Sequence, residues 1–176
     1  MPILLNRMPF TPHPGDVVVR GESVRIRTDQ IIVWVSLSLR HVEEQNPAVM
    51  PFPAILDTGY SHSFAITERQ LIEWSGVRPE AMAASSAVRE RGQKLLLRQA
   101  NIWVHANEPA SRDRLADRPP HLVEAESGIA IYPTGDFPRL PLLGLRVIAE
   151  NNLVLKVDGP RREATLRTPF KWWPFG

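Results

Sequence analysis

Hydrophobic and polar residues alternate along several short segments of this chain, a pattern typical of β-strands with one buried face. The clearest is Ile31–Leu39, in which every second residue from Val33 onward is apolar and lies on one side. Val17–Arg20 and Ser23–Arg27 flank a Gly-Glu turn and predict a hairpin. Arg89–Val104 predicts a second hairpin, with a polar tip. Shorter strand-like runs occupy residues 54–56, 63–66, 128–132, 140–145, 152–157 and 163–166.

One short helix is predicted to follow Thr67. Thr67 and Gln70, three residues later, form the signature of a capping box. Apolar residues between positions 71 and 74 supply one buried side, and Gly76 is suited to end the helix as a C-cap. Many short strands, one helix and frequent turn signals predict a mainly β domain, built as a barrel or a sandwich.

The chain of 176 residues has the length of a single domain with a hydrophobic core. Residues 1–16 are proline-rich without a clear period and are predicted to be an extended N-terminal arm. Residues 17–168 form the predicted domain, in which 105–121 is a long polar loop. Residues 169–176 form an aromatic C-terminal tail, for which we favour docking on protein over contact with a membrane interface.

Composition excludes several classes of function. The 21 Lys+Arg against 19 Asp+Glu leave a net charge of only +2, and no basic run is interleaved with aromatics, so nucleic-acid binding is not expected. The absence of cysteine removes disulfides, thiol catalysis and cysteine metal sites. No apolar run approaches the roughly 20 residues that span a bilayer. We therefore expect a cytoplasmic protein without a membrane span.

The segment Ala54–Gly59 carries the most informative chemistry. Three apolar residues lead into Asp57-Thr58-Gly59, so a carboxylate is set at the end of a buried strand, where it is costly unless its surroundings use it. Glycine permits a tight turn, and the Thr58 hydroxyl can hold the loop through buried hydrogen bonds. Two such carboxylates that face each other share one proton, so one can activate a water while the other donates to a carbonyl oxygen. The tripeptide occurs once, so a pair requires two chains.

Two further elements follow in order, the predicted helix Thr67–Gly76 and the apolar Leu142-Leu143-Gly144. With Leu56-Asp57-Thr58-Gly59 they make the chain resemble the retropepsin-like aspartic proteases, single-domain relatives of pepsin, and more closely their bacterial members. In that family a hairpin flap follows the helix, and the hydrophobic-hydrophobic-Gly element packs beside the catalytic loop. The resemblance covers about Val17 to Arg167 and implies an acid protease barrel with one catalytic half per chain.

The resemblance also implies roles for single residues. Asp57 would be the catalytic carboxylate, Thr58 would brace a dimer through its hydroxyl, and Gly59 would permit the loop. Gly144 would support the loop from behind, and Gly92 would mark the flap tip. It implies a symmetric homodimer acting as an aspartic-type endopeptidase on an extended peptide, with no metal and no cofactor.

The chain departs from the family pattern in three places. Tyr60 stands where the viral and pepsin enzymes have a small Ala or Ser, although bulky aromatics occur there in bacterial relatives. The presumed flap has one glycine instead of a glycine-rich tip, and the loop at 105–121 is an insertion. The segment Gly59-Tyr60-Ser61-His62-Ser63 lacks the last glycine of a nucleophile elbow, and no strand-to-helix turn is predicted at Ser61. The histidines are scattered and are interpreted as surface or internally bonded residues: His13, His41, His62, His105 and His121.

Two alternatives to the protease remain open. The first is a catalytically silent retropepsin-like domain used for binding or dimerisation, which the unusual flap favours. The second is an unrelated β domain in which Asp57 merely begins a turn, as Asp and Gly often do. A fold does not by itself establish an activity.

Overall fold

A computed structural model describes residues 2–90, 92–133, 135 and 137–169. The chain is mainly β, as predicted. The described strands are β1 (Ile3–Pro9), β2 (Gly15–Val19), β3 (Glu22–Ile26), β4 (Ile31–Leu39), β5 (Phe52–Asp57), β6 (Phe64–Thr67), β7 (Ala84–Glu90), β8 (Gln93–Arg98), β9 (Ala100–His105), β10 (His121–Val123), β11 (Ile129–Tyr132), β12 (Leu142–Gly144), β13 (Val154–Asp158) and β14 (Glu163–Arg167). The helices are α1 (Glu68–Gln70), which continues as a π-helical turn (Leu71–Ser75), a 3₁₀ turn (Pro79–Ala81) and α2 (Leu145–Glu150).

The largest sheet has the strand order β10-β9-β4-β5-β12-β6-β11-β8-β7. A second sheet has the order β1-β14-β13, and β2 pairs with β3 as a separate hairpin. The large sheet ends in two edge strands, β10 and β7, so among the described residues its strands do not close into a barrel by hydrogen bonding. The β class is thus confirmed, whereas barrel closure is not.

The core consists of a large apolar cluster, to which both sheets and the β2–β3 hairpin contribute, and a smaller cluster that includes Tyr60, Leu95 and Leu142. Strand β4 lies inside the large sheet between β9 and β5, which explains why Ile32, Val33 and Val35 are fully buried. Its second face is covered as well, because Trp34 donates from its indole nitrogen to the carbonyl of Arg112 at 2.7 Å. The loop at 105–121 therefore packs over this face of the sheet.

The predicted helix carries the capping box that its sequence indicates. The Thr67 hydroxyl accepts from the Gln70 amide at 3.1 Å, and the Gln70 side chain accepts from the Thr67 amide at 3.0 Å. Gly76 ends the helical segment in a left-handed conformation, with φ of 71°. The Gln70 side chain also donates to the carbonyls of Pro138 and Arg139, at 3.1 and 2.7 Å. These bonds tie the helix to the segment that precedes β12.

Two regions contain secondary structure that the sequence pattern did not predict. Residues 3–9 of the predicted arm form β1, which pairs with β14 and buries Leu4, Leu5 and Met8. Helix α2 follows β12 directly and was not among the predicted elements. Of the predicted aromatic tail, residues 170–176 lie outside the described residues. In the described part of the chain, every helix is too short or too polar to cross a lipid bilayer.

Candidate functional site

The fold brings the two sequence motifs together on adjacent strands. Strand β12 lies between β5 and β6, parallel to the first and antiparallel to the second. In this register Gly144 lies opposite Asp57, and Leu143 lies opposite Leu56. The hydrophobic-hydrophobic-Gly element therefore lies beside the Asp57 loop, as predicted.

Backbone hydrogen bonds hold the Asp57 loop against this element. The Asp57 carbonyl accepts from the Tyr60 amide at 3.1 Å and closes a tight turn. Gly144 donates to the carbonyl of Ser63 at 2.9 Å, and Leu145 donates to the carbonyl of Tyr60 at 3.1 Å. The loop is thus fixed at its base and again where it rejoins β6.

Gly144 has no room for a side chain. A β-carbon built at this position would overlap the carbonyl oxygen of His62 and would lie 2.7 Å from that of Tyr60. Glycine therefore lets β12 approach the loop backbone closely. The structure thus gives a physical reason for glycine at the position predicted to support the loop from behind.

The Asp57 carboxylate is oriented by its own loop. The amide of Gly59 donates to Oδ1 of Asp57 at 2.9 Å, and the side chain is half-buried at the wall of a cleft. A β-carbon at Gly59 would lie 3.2 Å from that same oxygen, so a larger residue would crowd the carboxylate. The Thr58 side chain is exposed and makes no hydrogen bond to another described residue. The expected buried bonds of its hydroxyl are therefore absent among the described residues, and its role in a dimer stays a prediction.

Asp57 opens on a cleft of about 440 Å³. Its apolar wall consists of Ile55, Phe137, Leu140 and Leu142. Its charged and polar rim consists of Arg25, Arg27, Gln30, Glu90 and Arg139. A cavity of about 410 Å³ adjoins it and shares Arg25 and Arg139. The two cavities therefore lie side by side, with these arginines at their common boundary.

A hairpin follows the helix, but its bounds differ from the predicted Arg89–Val104: β7 and β8 form it between Ala84 and Arg98. Residues 100–104 of the predicted hairpin belong instead to β9, which pairs with β4. Gly92 lies in the turn of the hairpin with φ of 77°, a conformation that favours glycine. Glu90, the last residue of β7, lines the same cleft as Asp57. The end of the hairpin thus reaches the cleft, and its action as a flap stays a prediction.

A buried cluster that sequence reasoning missed links this hairpin to the Asp57 loop. Nε2 of His62 lies 3.8 Å from Oε2 of Glu90, and both side chains are about four-fifths buried. The rings of Tyr60 and His62 meet edge to face, 5.5 Å between centroids. Burial, with smaller contributions from Tyr132 and Glu90, raises the pKa of the Tyr60 hydroxyl far above its ordinary value. Tyr60 and His62 lie far from Glu90 along the chain, so no spacing rule could have found the cluster.

The other buried histidine fits its sequence interpretation. His105 Nε2 lies 2.9 Å from the hydroxyl of Ser36, so its ring is satisfied within the fold. Burial lowers its pKa to about 4 and lowers the pKa of His121 as well. In the described part of the chain, no three His, Asp or Glu side chains are grouped so that they could hold a metal ion.

The chain matches no known protein-family model, no curated protein and no solved structure.

Proposed function

We propose that this protein is an aspartic-type endopeptidase whose catalytic pair is one Asp57 from each subunit of a homodimer. The observation that carries the proposal is the placement of Asp57 at the end of β5, with Gly144 directly opposite it and the cleft in front of it. The half-buried carboxylate is held by a loop amide and lines an open cleft, so a bound substrate can reach it.

The need for a second carboxylate supports a dimer. A single Asp57 can accept one proton but cannot also donate one to the substrate. Two-fold pairing is the commonest arrangement of soluble oligomers, and it would bring identical loops face to face. The exposed Thr58, which has no partner among the described residues of its own chain, is then available to bond across the two-fold axis.

The proposed reaction is the hydrolysis of a peptide bond by an activated water. The ionised carboxylate takes a proton from the water as the water oxygen attacks the peptide carbonyl carbon. The protonated carboxyl donates to the carbonyl oxygen, and a tetrahedral diol results. The first carboxyl then gives its proton to the amide nitrogen, the second takes a proton from a diol hydroxyl, and the C–N bond breaks, which restores the starting protonation of the pair. Because the two carboxylates titrate as a coupled pair, activity falls once both are ionised.

The test compares wild type with Asp57→Asn and with Asp158→Asn. Asp158 is the last residue of β13, and its Oδ1 accepts from the Arg161 amide in the turn that follows, a bond that asparagine preserves. Each protein is incubated at high concentration with a mixed peptide library from acidic to neutral pH, and the products are identified by mass spectrometry. We expect wild type and Asp158→Asn to make the same cuts and Asp57→Asn to make none.

Circular dichroism and sedimentation show whether the variants are folded and dimeric. Cleavage that persists in Asp57→Asn would contradict the mechanism. Absence of cleavage by a folded wild-type dimer would favour the alternative, a silent binding or dimerisation domain.

A further inference from the structure

Three arginines lie around the cleft in front of Asp57. Arg25 and Arg27 belong to β3 and the turn after it, and Arg139 precedes β12. All three are exposed. Two segments far apart in the chain therefore contribute positive charge to one opening.

The arginines differ in how far they are already neutralised. Arg25 is 3.4 Å from Asp16, in an ion pair that is about half exposed on both sides. Arg27 and Arg139 have no ion pair with a described residue. In the adjoining cavity, by contrast, Arg69 is bound by both Glu22 and Glu73, at 2.7 and 3.0 Å. Arg27 lines only the cleft that contains Asp57, whereas Arg139 lines both this cleft and the adjoining cavity.

We propose that Arg27 and Arg139 bind acidic side chains of the substrate, so that this cleft selects peptides with Asp or Glu near the bond to be cut. The inference rests on the proposed function and names the substrate class of that site. A guanidinium group offers a planar fork of donors that matches a carboxylate. The apolar wall beside it, which includes Leu140 and Phe137, suits the hydrophobic residues between the charged ones.

The location of the charges makes binding of a substrate acid more favourable than a surface ion pair. Surface pairs contribute little because both partners remain in water. A peptide that fills the cleft excludes water from the guanidinium groups and strengthens the attraction. Added salt weakens it, because the arginines are exposed before the substrate binds.

The experiment uses matched peptides that carry Glu, Gln or Lys at each position flanking a site cut by wild type. Arg27→Gln, Arg139→Gln and the double variant are compared with Arg161→Gln, which removes an exposed arginine in the turn between β13 and β14. We expect wild type and Arg161→Gln to cleave the Glu peptides about tenfold more efficiently than the Gln peptides, as a charge-assisted bond predicts. We expect the double variant to lose most of that preference, and Arg27→Glu with Arg139→Glu to favour the Lys peptides.

A second readout does not depend on cleavage. Fluorescence anisotropy measures the binding of labelled Glu and Gln peptides to Asp57→Asn, with and without the two arginine substitutions. Binding that prefers Glu peptides and needs the arginines would support the inference even if wild type cut nothing, in which case the proposed function alone would fail.

Two results would overturn the inference. Cleavage by wild type with no preference for acidic residues would do so and would leave the protease assignment intact. An equal loss of all cleavage in the arginine variants, with dissociation of the dimer in sedimentation, would instead assign these arginines to contact between subunits.

Discussion

The α-carbons of Gly144 and Asp57 lie opposite each other in the parallel pairing of β12 with β5. The backbone of the loop after Asp57 occupies the place where a side chain at position 144 would begin. The shape of the loop that presents Asp57 therefore depends directly on the absence of a β-carbon on the neighbouring strand.

Gly144→Ala is expected to lower the free energy of unfolding by about 3 kcal/mol, because backbone atoms on both sides would have to move. Gly159→Ala is the matched control, since a β-carbon there meets no atom within 4 Å. Urea unfolding of both variants measures the difference. Equal stability of the two variants would contradict the close approach of β12 to the loop.

Thr67→Ala is expected to cost about 1 kcal/mol of stability, because the hydroxyl that caps the short helix is lost. The helix holds the segment before β12 through Gln70, so its loosening should also increase amide hydrogen exchange around residues 138–140. Thr28→Ala, at an exposed position without a side-chain hydrogen bond to a described residue, is the control. A similar small effect from both substitutions would show that the cap does not stabilise this region.

Glu90→Gln is expected to loosen the hairpin at the cleft, because it removes the charge that faces His62. Hydrogen exchange of β7 and β8 should become faster, with little change in the global free energy of unfolding. Glu80→Gln removes an exposed carboxylate in the 3₁₀ turn and should leave this exchange unchanged. Unaltered protection of the hairpin in Glu90→Gln would show that the contact with His62 does not hold it.

The burial of His105 is expected to make the folded chain less stable in mild acid. Burial lowers its pKa from 6.5 to about 4 in the folded chain, so the unfolded chain binds a proton that the folded chain does not. The free energy of unfolding therefore falls as pH decreases from about 6.5 to about 4. The shift corresponds to about 3 kcal/mol, reduced to about 2 kcal/mol for a ring that keeps some contact with water.

His105→Gln removes this titration. The stability difference between wild type and the variant should therefore shrink as pH falls from 7 to 4, measured by urea unfolding at several pH values. His13→Gln, at an exposed position, serves as the comparison. A difference that stays constant with pH would rule out His105 as a source of acid sensitivity.

Local signals explain which parts of the fold could be predicted. Ile31–Leu39 was found with its observed bounds, because alternation of apolar residues is a property of the strand itself. The capping box at Thr67 was found because its two partners are three residues apart. Helix α2 gave no such signal, since its N-cap is Gly144, which has no side chain to bond the first turn.

The candidate site likewise contains residues that the sequence could predict and contacts that it could not. Asp57 and Gly144 could be named from short motifs, and the structure places them opposite each other. The contact of His62 with Glu90 depends on where a hairpin folds back, which no local pattern encodes. The grouping of the arginines around the cleft could not be predicted either, because β3 and the segment before β12 meet only in the folded chain.

The position of β12 has a consequence for biosynthesis. Strand β12 lies between β5 and β6, but the ribosome makes it much later than either of them. While the first part of the chain is being made, the strand that supports the Asp57 loop is therefore missing. Only after residues 142–144 have emerged can the loop reach its final shape. We therefore expect that an incomplete chain contains Asp57 without the cleft in front of it, and that this cleft forms late, close to the completion of folding.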